Sequence, residues 1–363
     1  MIDRALVREI DWVLTALLLV NTAIGAALIY SASFYGGGGF VWKQILWAAL
    51  SFGIFVLTIS VDYKLWLLLA PYFYGLILLL LLGLLVFGRT IAGARSWMSL
   101  AFMGGQPSEP AKIAVLLILA RLFAEYRAKF LSFEFGALGA LLAGVPMGLV
   151  ILQPDFGTAA CFLPLMAAGL FLAGLTKKTV VVFLVLALVV GLLGWTLFLK
   201  DYQKQRLETL VKPSQDPRGA GYHVLQSKIA IGSGGIAGKG FMKGTQSQLR
   251  FLPARHTDFI FAVLGEEFGF AGVIGVLLLY FFFLARLFRS VGQSRDRAGS
   301  YITFMTASLL AFQFLLNVLM IVGVLPITGI PIPLLSYGGS SLLATYVVVG
   351  LAVNVKMRRY VNV

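Results

Sequence analysis

Long apolar segments constrain this chain more than any other feature. Of its 363 residues, 60% are hydrophobic and only 12% are charged, whereas soluble domains carry about 25% charged residues. About ten stretches approach the roughly 20 residues that a membrane-spanning helix needs. The sequence therefore predicts an all-α polytopic membrane protein. The expected spans cover residues 12–32, 40–60, 66–88, 110–124, 134–152, 157–175, 179–199, 264–286, 300–322 and 340–355.

The first apolar segment, from Trp12 to about Ile29, precedes Ser31-Ala32-Ser33, which imitates the cleavage site of a signal peptide. The apolar core before it, about 18 residues long, exceeds the usual 7–15 residues of a signal peptide. We therefore expect the segment to be retained as the first helix of a single membrane domain that covers residues 1–363.

The basic residues predict the orientation of the chain. An even number of spans puts both termini on one side, and that side holds more than half of the 29 Lys and Arg residues. Positive charge in short loops marks the cytoplasmic side. The termini are thus expected to be cytoplasmic, and the long loop of residues 200–263, between helices seven and eight, extracytoplasmic. The net charge of +14 follows this membrane pattern, so no nucleic-acid partner is expected.

Three further external segments are irregular. Residues 89–111 are too apolar for an ordinary loop and too rich in Gly and Pro for a span, and residues 324–341 hold three prolines and three glycines. Residues 153–158 form a turn between helices five and six. Irregular backbone at membrane depth is tolerated only where it is buried in protein or lines a wet cavity. We therefore expect these segments and the long loop to converge on one external cavity.

A glycine-rich run, Gly232–Gly240, interrupts the long loop with the sequence GSGGIAGKG. It is not a P-loop, because the spacing of Gly232 and Gly238 is wrong and Gly240, rather than Ser or Thr, follows Lys239. Two interpretations stay open: a flexible lid, or a nest of backbone amides that binds an oxyanion such as a phosphate.

Several ionisable residues lie at the external ends of helices. Glu109 and Lys112 are three residues apart on one helical face, as in a structural ion pair, yet ionisable groups within a membrane also tend to face a functional interior. Asp155 follows a proline and could cap helix six or act in function. Asp258 precedes the apolar Phe259-Ile260-Phe261, where a carboxylate is partly desolvated.

Two other site classes are disfavoured. His256 has no His, Cys or acidic neighbour at the spacing of a zinc site, and Cys161 is the only cysteine. Ser336 lacks the G-x-S-x-G elbow and a credible His–Asp pair, which argues against a serine hydrolase.

The motifs together resemble the SEDS family of peptidoglycan glycosyltransferases over nearly the whole chain. The most specific are His256-Thr257-Asp258-Phe259-Ile260-Phe261 and Ser336-Tyr337-Gly338-Gly339-Ser340, supported by Gln106-Pro107-Ser108-Glu109 and Gln153-Pro154-Asp155. Thr257 favours the elongation branch over the division branch. Ala254 departs from the family, many members of which carry Glu there, but it leaves Asp258 in place.

The resemblance implies that the protein polymerises lipid II, an undecaprenyl-diphosphate-linked disaccharide-pentapeptide, on the outer face of the bacterial cytoplasmic membrane. Asp258 is then the catalytic base, and a class B penicillin-binding protein and the elongation machinery are the partners. A divalent cation, Mg²⁺ or Mn²⁺, could bridge a carboxylate and the diphosphate. The alternative is a lipid II flippase without polymerase activity. The candidate substrate-binding residues are Arg95, Glu109, Lys112, Asp155, Lys239, His256 and Ser336.

Overall fold

The protein is a bundle of long helices with one small sheet. A computed structural model describes residues 4–34, 39–91, 94–100, 103–126, 130–174, 181–182, 220–249, 251–252 and 254–360. The helices are α1 (Arg4–Arg8), α2 (Trp12–Ser33), α3 (Gly39–Ser60), α4 (Tyr63–Phe87), α5 (Ser108–Glu125), α6 (Phe133–Leu152), α7 (Phe156–Ala160), α8 (Phe162–Gly174), α9 (Ala220–Ser233), α10 (Thr245–Gln248), α11 (Ile260–Val291), α12 (Arg297–Ile321) and α13 (Gly339–Met357).

Within the described residues, eight helical segments are long and apolar enough to cross a membrane. They match eight of the predicted spans, so the polytopic helical architecture is confirmed. The predicted fourth span is α5, an 18-residue helix. The predicted seventh span, 179–199, lies almost wholly outside the described residues, as does the loop up to residue 219. The count of ten spans and the side of the membrane on which each loop lies stay predictions.

The irregular segment before α5 forms a small antiparallel sheet, which the all-α prediction did not include. Its strands are β1 (Arg89–Ile91), β2 (Ala94–Leu100) and β3 (Met103–Gly105), in the order β1-β2-β3. The Arg, Ser and Thr residues of this segment interrupt its apolar stretch, which is unfavourable for a membrane-spanning helix. The sheet leads directly into the first turn of α5.

Helix α5 lies at the centre of the bundle. Its residues from Ala111 to Leu117 are all buried, and it packs against α4, α6, α8, α12 and α13. A helix that is apolar on every side is stable only when other elements surround it. The first turn of α5 therefore carries Glu109 and Lys112 into the protein interior, with exposures of 5% and 3%.

At the opposite end of the bundle, Asp11 joins distant parts of the chain. Its carboxylate caps α2 and forms ion pairs with Arg286 at 2.9 Å and with Lys356. Burial raises the pKa of Asp11, but the hydrogen bonds from Arg286, Lys356 and the Leu14 amide, together with the charge of Lys356, hold the pKa below its ordinary value. The contact between Asp11 and Lys356 puts the beginning and the end of the chain at the same end of the bundle.

Helix α11 is broken at Gly269, whose φ of 63° is left-handed. A break of this kind leaves backbone amides and carbonyls without helical partners. The glycine-rich run supplies those partners on both sides of the break. The bonds join Lys239 N to Glu266 O at 3.1 Å, Gly240 N to Glu267 O at 2.9 Å, Phe270 N to Gly235 O at 2.9 Å and Ala271 N to Ile236 O at 3.0 Å.

The glycines of this run are needed because backbone approaches backbone. A Cβ at Gly238 would lie 2.2 Å from the carbonyl oxygen of Glu267, and one at Gly234 would lie 2.0 Å from that of Gly265. The amide of Gly238 donates to Gly234 O at 2.8 Å. The predicted oxyanion nest is therefore wrong for the amides of Gly238, Lys239 and Gly240, which already donate to carbonyls. The run packs against α11 as part of the fold rather than as a separate lid.

Candidate active site

Asp258 lies in a tight turn just before the membrane-spanning part of α11. The amides of Thr257, Asp258 and Phe259 all point at one acceptor, the carbonyl oxygen of Ala254, at 3.0 to 3.3 Å. Ala254 has a φ of 47°, so the turn starts from a left-handed residue. The turn ends where Phe259 becomes buried, and it leaves the Asp258 side chain partly exposed.

Two elements distant in sequence hold this turn. Asn317 of α12 donates from Nδ2 to the carbonyl oxygens of Asp258, at 3.0 Å, and of Ile330, at 2.7 Å. Gly329, with a φ of 70°, passes so close that an added Cβ would lie 3.9 Å from Oδ2 of Asp258. The irregular segment 324–341 thus forms one wall of the space in front of the carboxylate.

Burial raises the pKa of Asp258 to about 6, and a hydrogen bond from Thr257 acts in the opposite direction without cancelling it. The neighbouring Arg255 reaches α2, where its Nε donates to the carbonyl oxygen of Ala32. A carboxylate with a pKa near 6 is ionised at neutral pH and is a stronger base than an ordinary Asp.

Asp155 caps α7, as one interpretation predicted, and it also reaches a second segment. Its carboxylate accepts from the amide of Thr158 at 3.1 Å and from the Thr158 hydroxyl at 2.9 Å. Gln106 Nε2 donates to the same carboxylate at 2.8 Å, and the amide of Gln106 donates to Ser340 Oγ at 3.4 Å. Asp155 therefore connects the end of the small sheet with α7, and through Gln106 with the start of α13.

These contacts bring the irregular segments together. Gly157 packs so closely on the 324–341 segment that an added Cβ would lie 2.2 Å from the carbonyl oxygen of Thr328. The amide of Tyr337 donates to the carbonyl oxygen of His256 at 2.9 Å. The described parts of residues 89–111, 153–158, 324–341 and the end of the long loop meet at one end of the bundle, as predicted. That they enclose one external cavity stays a prediction.

Glu109 and Lys112 form the ion pair that their spacing predicted, with 2.8 Å between Oε1 and Nζ. The pair lines a small pocket with Gln313 and Thr345, from α12 and α13. A buried ion pair is a weak source of stability, because desolvation offsets the attraction, but removing one partner leaves a costly buried charge. Whether the pair also contacts substrate stays a prediction.

The other predicted substrate-binding residues have different surroundings. Lys239 Nζ contacts Glu266 Oε1 and Thr245 Oγ1, each at 2.8 Å, so it holds the glycine-rich run to α11. Ser336 is buried, and its hydroxyl accepts from the amide of Ile332 at 2.9 Å, which stabilises the turn before α13. The side chain of Arg95, in β2, lies outside the described part of the structure.

His256 packs among aromatic rings close to Asp258. Its ring lies 4.3 Å from that of Phe40, nearly parallel. Burial and the neighbouring Arg255 both lower the pKa of His256, so the imidazole is neutral at neutral pH. Within the described residues, no three His, Cys, Asp or Glu side chains lie close enough to hold a metal ion.

The sequence reasoning missed Asn317, Phe40 and Gln313. Asn317 and Gln313 had a signal, since amide side chains inside the apolar span of α12 are costly unless they bond other groups. Phe40 had none, because an aromatic residue at the start of a span is typical of an interfacial anchor.

Comparison with known proteins shows which family has this sequence and fold. The family model FTSW_RODA_SPOVE, described as "Cell cycle protein", matches residues 11–361. The chain belongs to the SEDS family. Among its SEDS relatives, the peptidoglycan glycosyltransferase MrdB of Escherichia coli strain K12 is 37% identical over 97% of this chain and 94% of its own length. The peptidoglycan glycosyltransferase RodA of Treponema pallidum is 31% identical over 97% and 99%.

Solved SEDS structures share the fold. A chain from a study of structural coordination of polymerization and crosslinking by a peptidoglycan synthase complex is 34% identical, with a TM-score of 0.84, and the match covers 97% of this chain and 99% of that one. Thermus thermophilus RodA is 32% identical, with a TM-score of 0.73 over 97% and 98% of the chains. The chain is thus a RodA-like multi-pass membrane protein of the SEDS family.

Proposed function

We propose that this SEDS protein is a peptidoglycan glycosyltransferase that polymerises lipid II into glycan strands, with Asp258 as the general base. Relatives that match almost the full chain are named peptidoglycan glycosyltransferases. The observation that carries the assignment is the carboxylate of Asp258. It is partly buried, has a pKa of about 6, and lies where the external segments meet. A general base near that pKa is effective at neutral pH.

In the proposed reaction, the oxygen of the 4-hydroxyl of the incoming lipid II attacks the anomeric carbon of the growing strand. Asp258 removes the proton from that hydroxyl during the attack. The bond between that carbon and the diphosphate breaks, and the diphosphate leaves with the bonding electron pair. One displacement inverts the anomeric centre, so an α-linked donor gives a β-linked product. Asp258 then releases the proton to water.

The leaving diphosphate needs positive charge beside it. Arg95, Lys112 and Lys239 are the proposed groups, with Asp155 and His256 orienting the sugars. Lys112 and Lys239 are each paired with a buried carboxylate, Glu109 and Glu266, so we propose that they act while still held by those partners. Such pairing fixes the position of a flexible lysine side chain.

The predicted divalent cation stays a prediction. The described carboxylates do not by themselves form a cluster for a resident metal, and no step of the proposed reaction passes through one. Addition of a chelator to the polymerisation assay tests this prediction. If the protein requires Mg²⁺ or Mn²⁺, the chelator should abolish product formation.

The proposed site of action is the outer face of the bacterial cytoplasmic membrane, and the proposed partner is a class B penicillin-binding protein within the elongation machinery. The resemblance to a chain from a peptidoglycan synthase complex supports a partner. Polymerisation rates with and without the cognate penicillin-binding protein, under matched detergent conditions, test this pairing. We expect the partner to raise the rate.

The deciding experiment uses purified protein and labelled lipid II, with products separated by gel. We expect glycan polymer from the parent protein and none from Asp258→Ala. Transfer of lipid II across a vesicle bilayer without polymer would instead favour the flippase, which the relatives' names do not favour.

A further inference from the structure

Three aromatic rings from separate parts of the chain meet beside the Asp258 turn. Phe40 begins α3, His256 lies two residues before Asp258, and Tyr337 lies two residues before α13. The ring centroids are 4.3 Å apart for Phe40 and His256, 5.2 Å for Phe40 and Tyr337, and 5.7 Å for His256 and Tyr337. We call these three side chains the aromatic platform.

One face of α3 holds the platform in place. At successive turns of that face, Phe40 contacts Tyr337, Gln44 Nε2 donates to the carbonyl oxygen of Ser336 at 3.5 Å, and Trp47 packs on Gly339, where an added Cβ would lie 2.2 Å from the indole. Residues spaced by three or four lie on one side of a helix. The rings are therefore fixed by packing rather than free to turn.

The platform is not fully covered by protein. Phe40 is 38% exposed, and His256 and Tyr337 are partly exposed. Trp42, two residues along α3, is 73% exposed and suits an anchor at the membrane surface. Phe40 differs, because it stacks on the His256 ring and meets the Tyr337 ring edge-to-face, and these rings come from the two segments beside the carboxylate.

The platform is attached to the turn that carries Asp258. Cα atoms two residues apart lie within about 7 Å, so the backbone of His256 lies within about 7 Å of that of Asp258, and the amide of Tyr337 donates to the His256 carbonyl oxygen in the same turn. The neutral imidazole and the phenol present apolar faces with polar edges. Rigid aromatic faces beside a few polar groups are typical of binding sites for small organic molecules, and a pyranose has an apolar face of C–H groups with hydroxyls at its edge.

We propose that Phe40, His256 and Tyr337 bind the apolar face of the acceptor sugar and so hold its attacking hydroxyl toward Asp258. This inference rests on the proposed function. It assigns the platform to positioning, separate from the proton transfer itself. The chemical class of the ligand is a pyranose ring of the acceptor disaccharide rather than the lipid chain or the diphosphate.

The test measures initial polymerisation rates against lipid II concentration for variants of Phe40. An aromatic contact contributes a factor of roughly 2 to 10 in binding. We expect Phe40→Leu and Phe40→Ala to raise the half-saturating concentration of lipid II by that factor with little change in maximal rate. Phe40→Trp, which keeps a ring, should stay within about twofold, and the matched control Trp42→Ala should not change the half-saturating concentration.

A second measurement separates sugar from lipid. The lipid-free disaccharide of the substrate should inhibit the parent protein, and Phe40→Leu and Tyr337→Leu should weaken that inhibition by the same factor. The proposal is overturned if Phe40→Leu matches the parent protein, if only the maximal rate falls, or if inhibition is unchanged. A parent protein that forms no polymer would instead overturn the proposed function. Direct binding of the labelled lipid-free disaccharide would then test the platform, and equal binding by the parent and Phe40→Leu would overturn the platform.

Discussion

Asn317 donates a hydrogen bond from Nδ2 to the backbone carbonyl oxygen of Asp258 at 3.0 Å. The same nitrogen bonds Ile330 O at 2.7 Å, so a single amide inside α12 fixes the turn that carries the candidate base against the segment facing it. The position of the carboxylate thus depends on a helix distant from it in sequence.

Replacement of Asp258 should abolish polymerisation without unfolding the protein. A general base contributes about 10² to 10⁴ in rate, so we expect Asp258→Asn to lose at least about 100-fold while still binding lipid II. Because burial raises the folded pKa above the ordinary value, ionised Asp258 costs stability above pH 6. The thermal midpoint of Asp258→Asn at pH 8 should therefore equal or exceed that of the parent. Polymer formation within a few-fold of the parent rate would remove Asp258 from catalysis.

The pH dependence should report the same group. A base acts in its deprotonated form, and the pKa of Asp258 is about 6, so the rate should be level above that pH and fall about tenfold per unit below it. Initial rates between pH 4.5 and 8, with folding checked at each pH, measure this. Any residual activity of Asp258→Asn should not show this fall in rate below pH 6. The same fall in that variant would assign the pH dependence to another group.

Asp155→Asn should separate capping from the contact with Gln106. An Asn oxygen can still accept from the Thr158 amide, but its NH₂ group would face the NH₂ group of Gln106. We expect the thermal midpoint to fall only slightly, since the cap remains, while polymerisation falls clearly. Gln106→Ala, which removes the same contact from the other side, should reproduce the loss of polymer. Normal activity in both variants would return Asp155 to a purely structural role.

The buried pair of Glu109 and Lys112 should show non-additive stability. Glu109→Gln or Lys112→Met alone leaves a buried charge unpaired, which costs about 3 to 5 kcal/mol. The double variant removes both charges and should recover most of that loss. Unfolding in detergent measures the stability, and polymerisation by a stable double variant shows whether the charges also act on substrate. Single variants as stable as the parent would contradict the burial of the pair.

Gly238→Ala should destabilise the part of α11 around its break at Gly269. The added Cβ would lie 2.2 Å from the carbonyl oxygen of Glu267, and the φ of 79° is unfavourable for Ala. Gly232→Ala is the matched control, because a Cβ there meets nothing within 4 Å. We expect a loss of at least about 1 kcal/mol for Gly238→Ala, measured by thermal unfolding, and no loss for Gly232→Ala. Equal effects of the two substitutions would contradict the packing of the run on α11.

The sequence predicted the elements of this protein better than their contacts. Apolar length located the spans, and the spacing of Glu109 and Lys112 predicted their pairing, because both depend on local geometry. The small sheet was missed because its strands are short and lie in an apolar segment. The contribution of Asn317 and the position of Phe40 could not be predicted, since each depends on which residues distant in sequence pack together.

The glycine-rich run shows how composition alone can mislead. Nine residues with five glycines are typical of a mobile linker, yet here their backbone groups complete a broken helix. The break itself lies at Gly269, which has a left-handed φ. A single glycine inside an apolar span does not predict such a break.

The break at Gly269 has a practical consequence for protein engineering. Exposed glycine-rich loops are the usual choice for inserting epitope tags, fluorescent reporters or protease sites. Here the run and α11 exchange backbone hydrogen bonds in both directions, so an insertion between Gly234 and Gly240 would disrupt the bonds at the break in α11 rather than lengthen a linker.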